Sequence, residues 1–298
     1  MMRHIFVVNP SAGDGSGLES VRAALNGHKG CEIYETSGPR DATEYIRARC
    51  EANPDEEACY VACGGDGTVN EVAAGVVGHA NASMTVFACG SGNDFVKVFG
   101  GKENFQRIDA LLAAKVRPID ILKVNERWCV NIFHFGFDTC VARTMIAVKS
   151  KPVIGGKNAY TTGVATALVK AMRNQCRVKV DGEVIHDGDM LLCSVANGQY
   201  VGGAFRCAPR GEVEDGQIEI CVVKPVPRLK FVQLLGPYTR GEHLDDPRFQ
   251  SMLVYRRGAV VEVDGPEGFA ASLDGEIVES THFLIEMRAG ALRFAVPG

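Results

Sequence analysis

The chain has 298 residues, of which 46% are apolar and 23% charged, and its formal net charge at pH 7 is −4. This composition indicates a globular protein of one large domain or two ordinary ones, and it excludes a disordered chain, a coiled coil or a collagen-like fibre. No apolar run approaches the ~18 residues of a transmembrane helix, and the mild charge indicates no nucleic-acid partner. The 11 cysteines, an odd number at irregular positions, are typical of small buried side chains in a reducing compartment, so we expect a cytoplasmic protein.

Apolar strands alternate with helical patterns through residues 1–125. Strands are predicted at 4–8, 31–36, 59–63 and 84–88, and helices near 17–25, 41–49 and 68–77. Asp41 is predicted to cap the second helix at its entry. Fully apolar strands that alternate with helices predict an α/β domain, with a doubly wound, mostly parallel sheet covered on both faces.

Residues 126–298 have a different pattern, which predicts a second, β-rich and sandwich-like domain. Strands are predicted at 177–180, 184–186, 190–196, 218–223, 260–263, 283–287 and 292–296. Asp181-Gly182 between two alternating runs is a strong signal for a tight hairpin. One helix, at 159–173, is expected to interrupt the strands.

Three glycine-rich turns each follow a predicted strand of the first domain, at residues 9–13, 64–67 and 89–94. The carboxyl edge of an open α/β sheet is where ligands bind. Glycine lets backbone N–H groups approach an anion closely, and a helix N-terminus adds partial positive charge. The three turns therefore predict a nucleotide or phosphate site, although neither the P-loop nor the dinucleotide-binding fingerprint is present.

The second turn continues as Gly64-Gly65-Asp66-Gly67-Thr68-Val69-Asn70-Glu71, which resembles the diacylglycerol kinase catalytic superfamily. NAD kinases share the same core, so this motif alone leaves the substrate open. Residues 9–13, Thr36 before Asp41-Ala42, and residues 90–95 are similar to further motifs of the superfamily. Ala88-Cys89 and Val96-Lys97 depart from its usual pattern. The resemblance implies that ATP is bound by Asn9, Pro10, Ser11, Ala12, Gly13, Thr36, Gly64, Gly65, Asp66, Gly67, Thr68, Asn70, Gly90, Ser91, Gly92, Asn93 and Asp94.

The resemblance extends into the second domain. Residues 209–216 are similar to a metal-binding segment of bacterial diacylglycerol kinases, with Gly211 in place of the usual alanine. Carried over by position, the segment implies that Glu212, Asp215 and Gln217 contact Mg²⁺, a cation that prefers oxygen ligands. Without the resemblance, the same residues would be interpreted as an acidic hairpin turn.

Asp-Gly-Glu occurs twice, at residues 181–183 and 274–276. The second copy stands where the family has a motif with a catalytic glutamate, so the resemblance implies that Glu276 is the general base. Glu183 is interpreted as part of a structural hairpin. Asp66 is expected to hold catalytic Mg²⁺ through water, and it is the second candidate for the base because sphingosine kinases assign that role to the corresponding aspartate.

The resemblance implies a lipid kinase that transfers the γ-phosphoryl group of ATP to a lipid hydroxyl, with diacylglycerol as the expected acceptor. The alternatives are another lipid alcohol (a sphingoid base, ceramide or glycolipid), NAD, or a non-catalytic nucleotide-binding regulator. We expect the lipid to bind between the domains, against Phe133–Phe137 and the helix at 159–173.

Residues 139–180 contain eight basic residues and no Asp or Glu. Basic side chains are attracted to anionic lipid, so this stretch predicts peripheral contact with the inner face of the membrane. The alternative is an ordinary solvated face. A homodimer is left open by the sequence.

Overall fold

The computed structural model describes residues 2–12, 17–28, 30–90, 92–148, 151, 154 and 158–298. The chain forms two compact units. Unit 1 comprises residues 1–121, 213–216 and 288–298, and unit 2 comprises residues 122–212 and 217–287. The first break lies near the predicted boundary at residue 125, but two later segments return to unit 1.

Unit 1 is built around a parallel sheet. Its elements are β1 (Arg3–Val8), α1 (Gly17–Ala24), β2 (Cys31–Glu35), α2 (Asp41–Ala52), β3 (Ala58–Cys63), α3 (Asp66–Val76), β4 (Ala82–Phe87), α4 (Ile108–Leu112) and most of β5 (Lys115–Val124). The strand order is β2-β1-β3-β4, with every pair parallel, and the C-terminal segment joins β4 where Phe294 pairs with Met84. All residues of β3 and β4 are buried, as expected of central strands covered on both faces. The predicted α/β class is confirmed.

The predicted role of Asp41 as a helix cap is wrong. Helix α2 begins at Asp41 itself, after Arg40 in a left-handed conformation with φ 69°. The Asp41 carboxylate accepts the N–H of Ser37 at 2.7 Å and therefore closes the preceding turn instead of the helix. That backbone hydrogen bond lowers the pKa of the Asp41 carboxyl below its usual value.

Unit 2 is a two-sheet sandwich. Its elements are β6 (Arg127–Cys129), β7 (Ile132–Gly136), α5 (Phe137–Val148), α6 (Ala159–Lys170), β8 (Asn174–Val180), β9 (Glu183–Met190), β10 (Leu192–Ala196), β11 (Ile218–Val223), α7 (Arg228–Thr239), β12 (Leu253–Gly258), β13 (Val260–Asp264), β14 (Ala270–Leu273), β15 (Glu276–Glu279) and the start of β16 (His282–Val296). One sheet is antiparallel in the order β12-β11-β10-β7-β14-β15, and in the other β16, β13, β8 and β9 are neighbours. Side chains from both sheets, including Phe133, Val178, Ile220 and Ile285, form the core between them. The predicted sandwich-like domain is confirmed.

Helices α5, α6 and α7 pack with the outer face of the six-stranded sheet in a second hydrophobic cluster. Two sequence expectations are corrected here. The second half has three helices among its described residues, whereas the sequence predicted one. The predicted strands at 283–287 and 292–296 are a single strand, β16, which passes through Gly290 although its φ of 63° lies in the left-handed region. No helix in the described part of the chain is long and apolar enough to cross a membrane.

Candidate active site

The loops after β1, β3 and β4 lie at the carboxyl edge of the parallel sheet in unit 1, and hydrogen bonds join the first two. The N–H of Asn9 donates to the carbonyl of Cys63 at 3.1 Å, and the Asn9 carboxamide donates to Thr68 Oγ1 at 3.4 Å. The Asn9 side chain also accepts the N–H of Ser11, and its carbonyl accepts the N–H of Ala12. Asn9 therefore orders its own turn and ties that turn to the second loop.

The second loop leads from β3 directly into α3, with glycine at three positions. A Cβ at Gly64 would lie 2.3 Å from Thr68 Oγ1, so close packing requires glycine there. A Cβ at Gly65 or Gly67 would meet nothing within 4 Å, so the backbone at these positions faces open space. Gly65 is the N-cap residue of α3 and has no side chain that could cap the first helical N–H groups. An anion can therefore approach the start of this helix closely.

The third loop packs on the second. A Cβ at Gly90 would lie 2.5 Å from the carbonyl oxygen of Gly64, and the Asn93 carboxamide donates to that same oxygen at 3.0 Å. Asn93 is buried, has a φ of 46°, and its Oδ1 atom has no hydrogen-bond partner among the described residues. A buried oxygen of this kind normally has a partner, and a bound ligand could supply the donor.

Two carboxylates and a lysine are brought together at this edge of unit 1. Asp66 accepts the N–H of Asp94 at 2.8 Å, and Lys97 Nζ lies 2.5 Å from Asp94 Oδ1. A Cβ at Gly92 would lie 2.5 Å from Asp66 Oδ2 and 3.9 Å from Asp94 Oδ2, so only glycine fits between the two acids. One or two carboxylates that act together with phosphate oxygens form the usual protein environment of Mg²⁺.

The remaining predicted nucleotide contacts lie around these loops. Thr36 is buried directly after β2, and its N–H donates to the carbonyl of Val8 at 2.9 Å, so it is adjacent to the first loop. Pro10 and Asn70 are half-buried. Gly13 and Ser91 lie outside the described residues.

The three predicted metal ligands do not form one cluster within a unit. Asp215 belongs to unit 1, whereas Glu212 and Gln217 belong to unit 2. Glu212 is exposed, and the other two are half-buried. Among the residues that the structure describes, no three acidic, histidine or cysteine side chains are grouped to hold a metal ion. Mg²⁺ binding by these residues stays a prediction.

Asp120 in β5 is a structural anchor that the motif analysis missed. Its buried carboxylate accepts the N–H of Gly216 at 2.7 Å and that of Gly290 at 2.8 Å, and its own N–H donates to the carbonyl of Val213. It therefore fixes the segment that carries Asp215. The available signal was a lone acid between two isoleucines in an otherwise apolar stretch.

Both Asp-Gly-Glu copies form tight hairpin turns of the same conformation. Asp181 and Gly182 have φ values of 48° and 84°, and Asp274 and Gly275 have 48° and 92°. Positive φ at both central residues is the geometry of the two-residue turns that fit the twist of a hairpin. Backbone conformation therefore does not separate the proposed catalytic copy from the structural one.

The environment of the two aspartates does separate them. The buried Asp274 carboxylate accepts the backbone N–H groups of Val130, Asn131 and Ile132 at 2.7, 3.0 and 3.0 Å. Asp181 is exposed, and its Oδ1 atom accepts the N–H groups of Ala259, which precedes β13, and of Val260, the first residue of β13. The hairpin between β14 and β15 is therefore anchored by the buried Asp274 carboxylate to the segment that leads into β7.

Glu276 and Glu183 also differ in their partners. Glu276 is exposed on β15, and its Oε1 lies 2.6 Å from a guanidinium nitrogen of Arg127 on β6. Glu183 is exposed and makes no ion pair with any described residue. Arg127 can therefore orient the side chain of Glu276, whereas nothing in the described structure orients Glu183.

The basic stretch at 139–180 is partly neutralised within unit 2. Four of its basic side chains pair with acidic residues from elsewhere in the unit: Arg143 with Glu279, Arg173 with Asp189, Arg177 with Asp187, and Lys179 with Glu262. Lys151 and Lys170 are exposed. Lys149 and Lys157 lie outside the described residues. The stretch therefore offers less uncompensated positive charge than its sequence indicates.

The expected lipid contact along Phe133–Phe137 is wrong for two of its residues. Phe133 and Phe135 are fully buried in the core between the two sheets of unit 2. Successive side chains of a strand point to opposite faces, so His134 between them faces the helices. Phe137 at the start of α5 lies in the helix-side cluster, against Phe231 of α7.

Comparison with known families agrees with this architecture and with the loops of unit 1. Residues 3–124 match the diacylglycerol kinase catalytic domain, and residues 131–296 match the YegS C-terminal NAD kinase beta sandwich-like domain. The chain belongs to the family of lipid kinases that combines these two domains.

Individual relatives are similar over most of their length. A Pseudomonas aeruginosa protein named "Probable lipid kinase YegS-like" is 30% identical over 290 residues, which cover 96% of this chain and 92% of that protein. A diacylglycerol kinase from Bacillus subtilis is 28% identical over 249 residues, which cover 82% and 80%. The crystal structure of a diacylglycerol kinase from Bacillus anthracis has a TM-score of 0.68 at 20% identity, over 98% of this chain and 96% of that one. At this identity, the structural likeness supports the fold.

Proposed function

We propose that this protein transfers the γ-phosphoryl group of ATP to the hydroxyl group of diacylglycerol and forms phosphatidic acid. The observation that carries the proposal is the hydrogen bond from the Asp94 N–H to the Asp66 carboxylate, which places the two acids beside the open backbone of Gly65 and Gly67. The names of its relatives, lipid kinase and diacylglycerol kinase, support a lipid acceptor.

The loops of unit 1 suit the nucleotide. The uncapped start of α3 would bind the phosphates through backbone N–H groups, and Asn93 Oδ1 would accept a hydrogen bond from a donor group of the nucleotide. Asp66 and Asp94 form an oxygen donor set that fits Mg²⁺, and the bound ion would neutralise charge on the phosphates. Lys97 beside Asp94 adds a positive charge at the same place.

Glu276 is the proposed general base. The lipid O–H bond breaks as the oxygen bonds to the γ-phosphorus, the proton goes to the Glu276 carboxylate, and ADP leaves with the electron pair of the broken P–O bond. Arg127 would hold the carboxylate in position through their ion pair. Asp66 is the second candidate, but its contact with the Asp94 N–H suits a metal-binding role better than proton transfer.

The experiment that tests the proposal measures ATP consumption by the purified protein with four acceptors: diacylglycerol, sphingosine, ceramide and NAD. Turnover with diacylglycerol supports the proposal. Turnover only with sphingosine or ceramide would assign another lipid alcohol, and turnover only with NAD would assign an NAD kinase. No turnover with any acceptor, by a protein that still binds ATP, would indicate a nucleotide-binding regulator.

We also propose that the protein reaches its substrate by peripheral contact with an anionic membrane, through the outer surface of α6 and α7. Val169, Leu229 and Val232 are 71%, 72% and 60% exposed, which is unusual for large apolar side chains. Arg228 donates to the carbonyl of Leu168 at 2.6 Å, so the two helices adjoin where Val169 and Leu229 lie. Exposed apolar side chains beside Lys170 form the amphipathic surface that binds a membrane interface.

A further inference from the structure

Three buried polar side chains lie side by side on the six-stranded sheet of unit 2. In the strand register His134 of β7 pairs with Ser194 of β10 on one side and with Ser272 of β14 on the other. These side chains are 5%, 2% and 0% exposed. We call these three residues the polar row. Directly opposed side chains in such a sheet have Cβ atoms ~5 Å apart, so one small ligand can reach all three.

None of the three polar groups is fully satisfied within the described structure. His134 Nδ1, Ser194 Oγ and Ser272 Oγ are all buried without a hydrogen-bond partner among the described residues. Buried polar side chains in native proteins are normally paired, because the alternative is an uncompensated loss of hydration. Three adjacent exceptions on three different strands therefore indicate that a group outside the described residues supplies their partners.

The polar row faces the helices and not the core of the sandwich. Ile132, two residues before His134, and Leu192 and Ala196, on either side of Ser194, belong to the cluster that packs with α5, α6 and α7. Thr139 at the start of α5 donates from its hydroxyl to the carbonyl of His134 at 3.0 Å. The start of α5 thus lies over this part of the sheet.

An apolar cavity lies on the same side of the sheet as the row. It has a volume of about 40 Å³ and lies between the start of β10, the end of β11 and helix α7. Leu192, Val223 and Phe231 are among its walls, whereas none of the three residues of the row lines it. Leu192 lies on the same face of β10 as Ser194, one pleat away. A ligand that extends from the row along β10 to this cavity would combine hydrogen-bonding atoms with hydrocarbon, which is the chemistry of a lipid backbone.

The groups of the row also limit the charge of that ligand. Burial lowers the pKa of His134 to about 4, so its imidazole is neutral near pH 7 and offers one N–H. The two serine hydroxyls are neutral donors as well. A row of neutral donors suits uncharged acceptor atoms better than a phosphate, which would need positive charge.

We propose that the polar row binds the ester carbonyl oxygens of the acceptor lipid, with the adjoining hydrocarbon against the apolar cavity. The inference rests on the lipid kinase function proposed above and makes it more specific. It assigns the recognition of a diester glycerolipid, as opposed to an ether lipid, to Ser194, His134 and Ser272. These residues bind the lipid and take no part in proton or phosphoryl transfer.

The test compares 1,2-dioctanoylglycerol with 1,2-di-O-octylglycerol, which lacks the carbonyl oxygens. Both lipids are given to wild type, to S194A, to the double variant S194A/S272A and to S83A. Ser83 is a matched control because it is equally buried but lies in unit 1 and donates to the carbonyl of Ala58. The readouts are kcat/KM for each lipid, and the rise in melting temperature that each lipid causes without ATP.

We expect wild type to prefer the diester. S194A and S194A/S272A should each lower kcat/KM for the diester by ~3- to 10-fold, while kcat/KM for the diether stays within ~2-fold. The melting temperature of lipid-free S194A should not fall, because an unpaired buried hydroxyl stabilises nothing. S83A should keep the wild-type ratio between the two lipids. A diester-to-diether ratio that is the same in wild type and the double variant would overturn the inference and leave the row with bound water only.

The melting-temperature readout separates this inference from the proposed function. If wild type phosphorylates neither lipid, the proposed function fails. The row would still be supported if the diester raised the melting temperature more than the diether, and if this difference vanished in S194A/S272A. An equal rise in melting temperature with both lipids would overturn the inference about the polar row. A difference between the lipids that persists in S194A/S272A would overturn it as well.

Discussion

Replacing Asp274 by asparagine should loosen the hairpin that carries Glu276, and the size of the effect follows from its contacts. Oδ1 of Asp274 accepts the N–H groups of Asn131 and Ile132, and Oδ2 accepts that of Val130. Asparagine tolerates the left-handed conformation at this position, so the substitution leaves the turn itself unstrained. It replaces one acceptor oxygen by an NH₂ group, and at least one buried N–H must lose its partner.

The magnitude is set by the charge and by burial. A hydrogen bond to a charged group contributes ~1.5–3 kcal/mol, and a buried N–H without a partner costs ~1–3 kcal/mol. We expect D274N to lower the free energy of unfolding by ~2–4 kcal/mol, a large fraction of the ~5–15 kcal/mol that stabilises a typical domain. D181N is the matched control, because Asp181 has the same turn conformation but is exposed, and its loss should cost under ~1 kcal/mol.

The assay is thermal and urea unfolding followed by tryptophan fluorescence. The only tryptophan in the sequence, Trp128, lies in β6 two residues before Val130, so its emission reports on the segment that Asp274 holds. D274N should lower the melting temperature by ~4–10 °C, and D181N by much less. Equal decreases in the melting temperatures of D274N and D181N would refute the reasoning that the Asp274 carboxylate anchors the hairpin between β14 and β15.

Four further predictions follow from the site and its surroundings. E276Q should lower kcat by ~10²- to 10⁴-fold with little change in ATP affinity, whereas the kcat of E183Q should stay within a few-fold of wild type. The reverse order would show that the roles of the two motifs are exchanged. Mg²⁺ should raise the melting temperature of wild type more than that of D215A, and an equal rise would remove Asp215 from a metal site. L229E should reduce co-sedimentation with anionic vesicles while activity on a short-chain diacylglycerol is kept; unchanged sedimentation would contradict the proposed membrane surface. Burial raises the pKa of Asp138 to about 6, so the free energy of unfolding should fall as pH rises through 6. D138N should therefore raise the free energy of unfolding at pH 7.5 by up to ~2 kcal/mol and have no effect near pH 4. A difference between D138N and wild type that does not depend on pH would contradict this.

The parallel sheet of unit 1 was predictable because its central strands are buried on both faces and its loops carry familiar turn residues. The apolar runs in β3 and β4 are bounded by polar or glycine-rich segments, which limits each strand to its observed length within two residues. Unit 2 was harder. Helix α5 is an apolar segment directly after an apolar strand, and α7 has a proline inside it, so neither has a clear helical pattern.

The length of β16 depends on tertiary contacts that the local sequence does not show. Residues 288–290 look like a turn because they end in glycine, but the Asp120 carboxylate accepts the N–H of Gly290 and the strand continues. A contact between residues 170 positions apart in sequence is invisible to local pattern analysis. Asp120 was missed as a site-forming residue for the same reason.

Only the parts of the site that carry sequence motifs were predictable. The motifs indicated which loops carry Asn9, Asp66 and Asn93, and the structure of unit 1 joins those loops by hydrogen bonds. The ion pairs that neutralise half of the basic stretch were not predictable, because each acidic partner lies outside that stretch. The polar row was hidden as well, since a lone histidine and two lone serines on three strands carry no motif.

Transfer of radioactive phosphate from [γ-³²P]ATP to 1,2-diacylglycerol tests the central claim most directly, with D66N as the control. The Asp66 carboxylate accepts the N–H of Asp94, and D66N removes the charge of Asp66 without changing the size of the side chain. The account predicts labelled phosphatidic acid from wild type and a loss of labelling by at least ~10²-fold in D66N. Unlabelled lipid with wild type, or labelling by D66N at the wild-type rate, would contradict it.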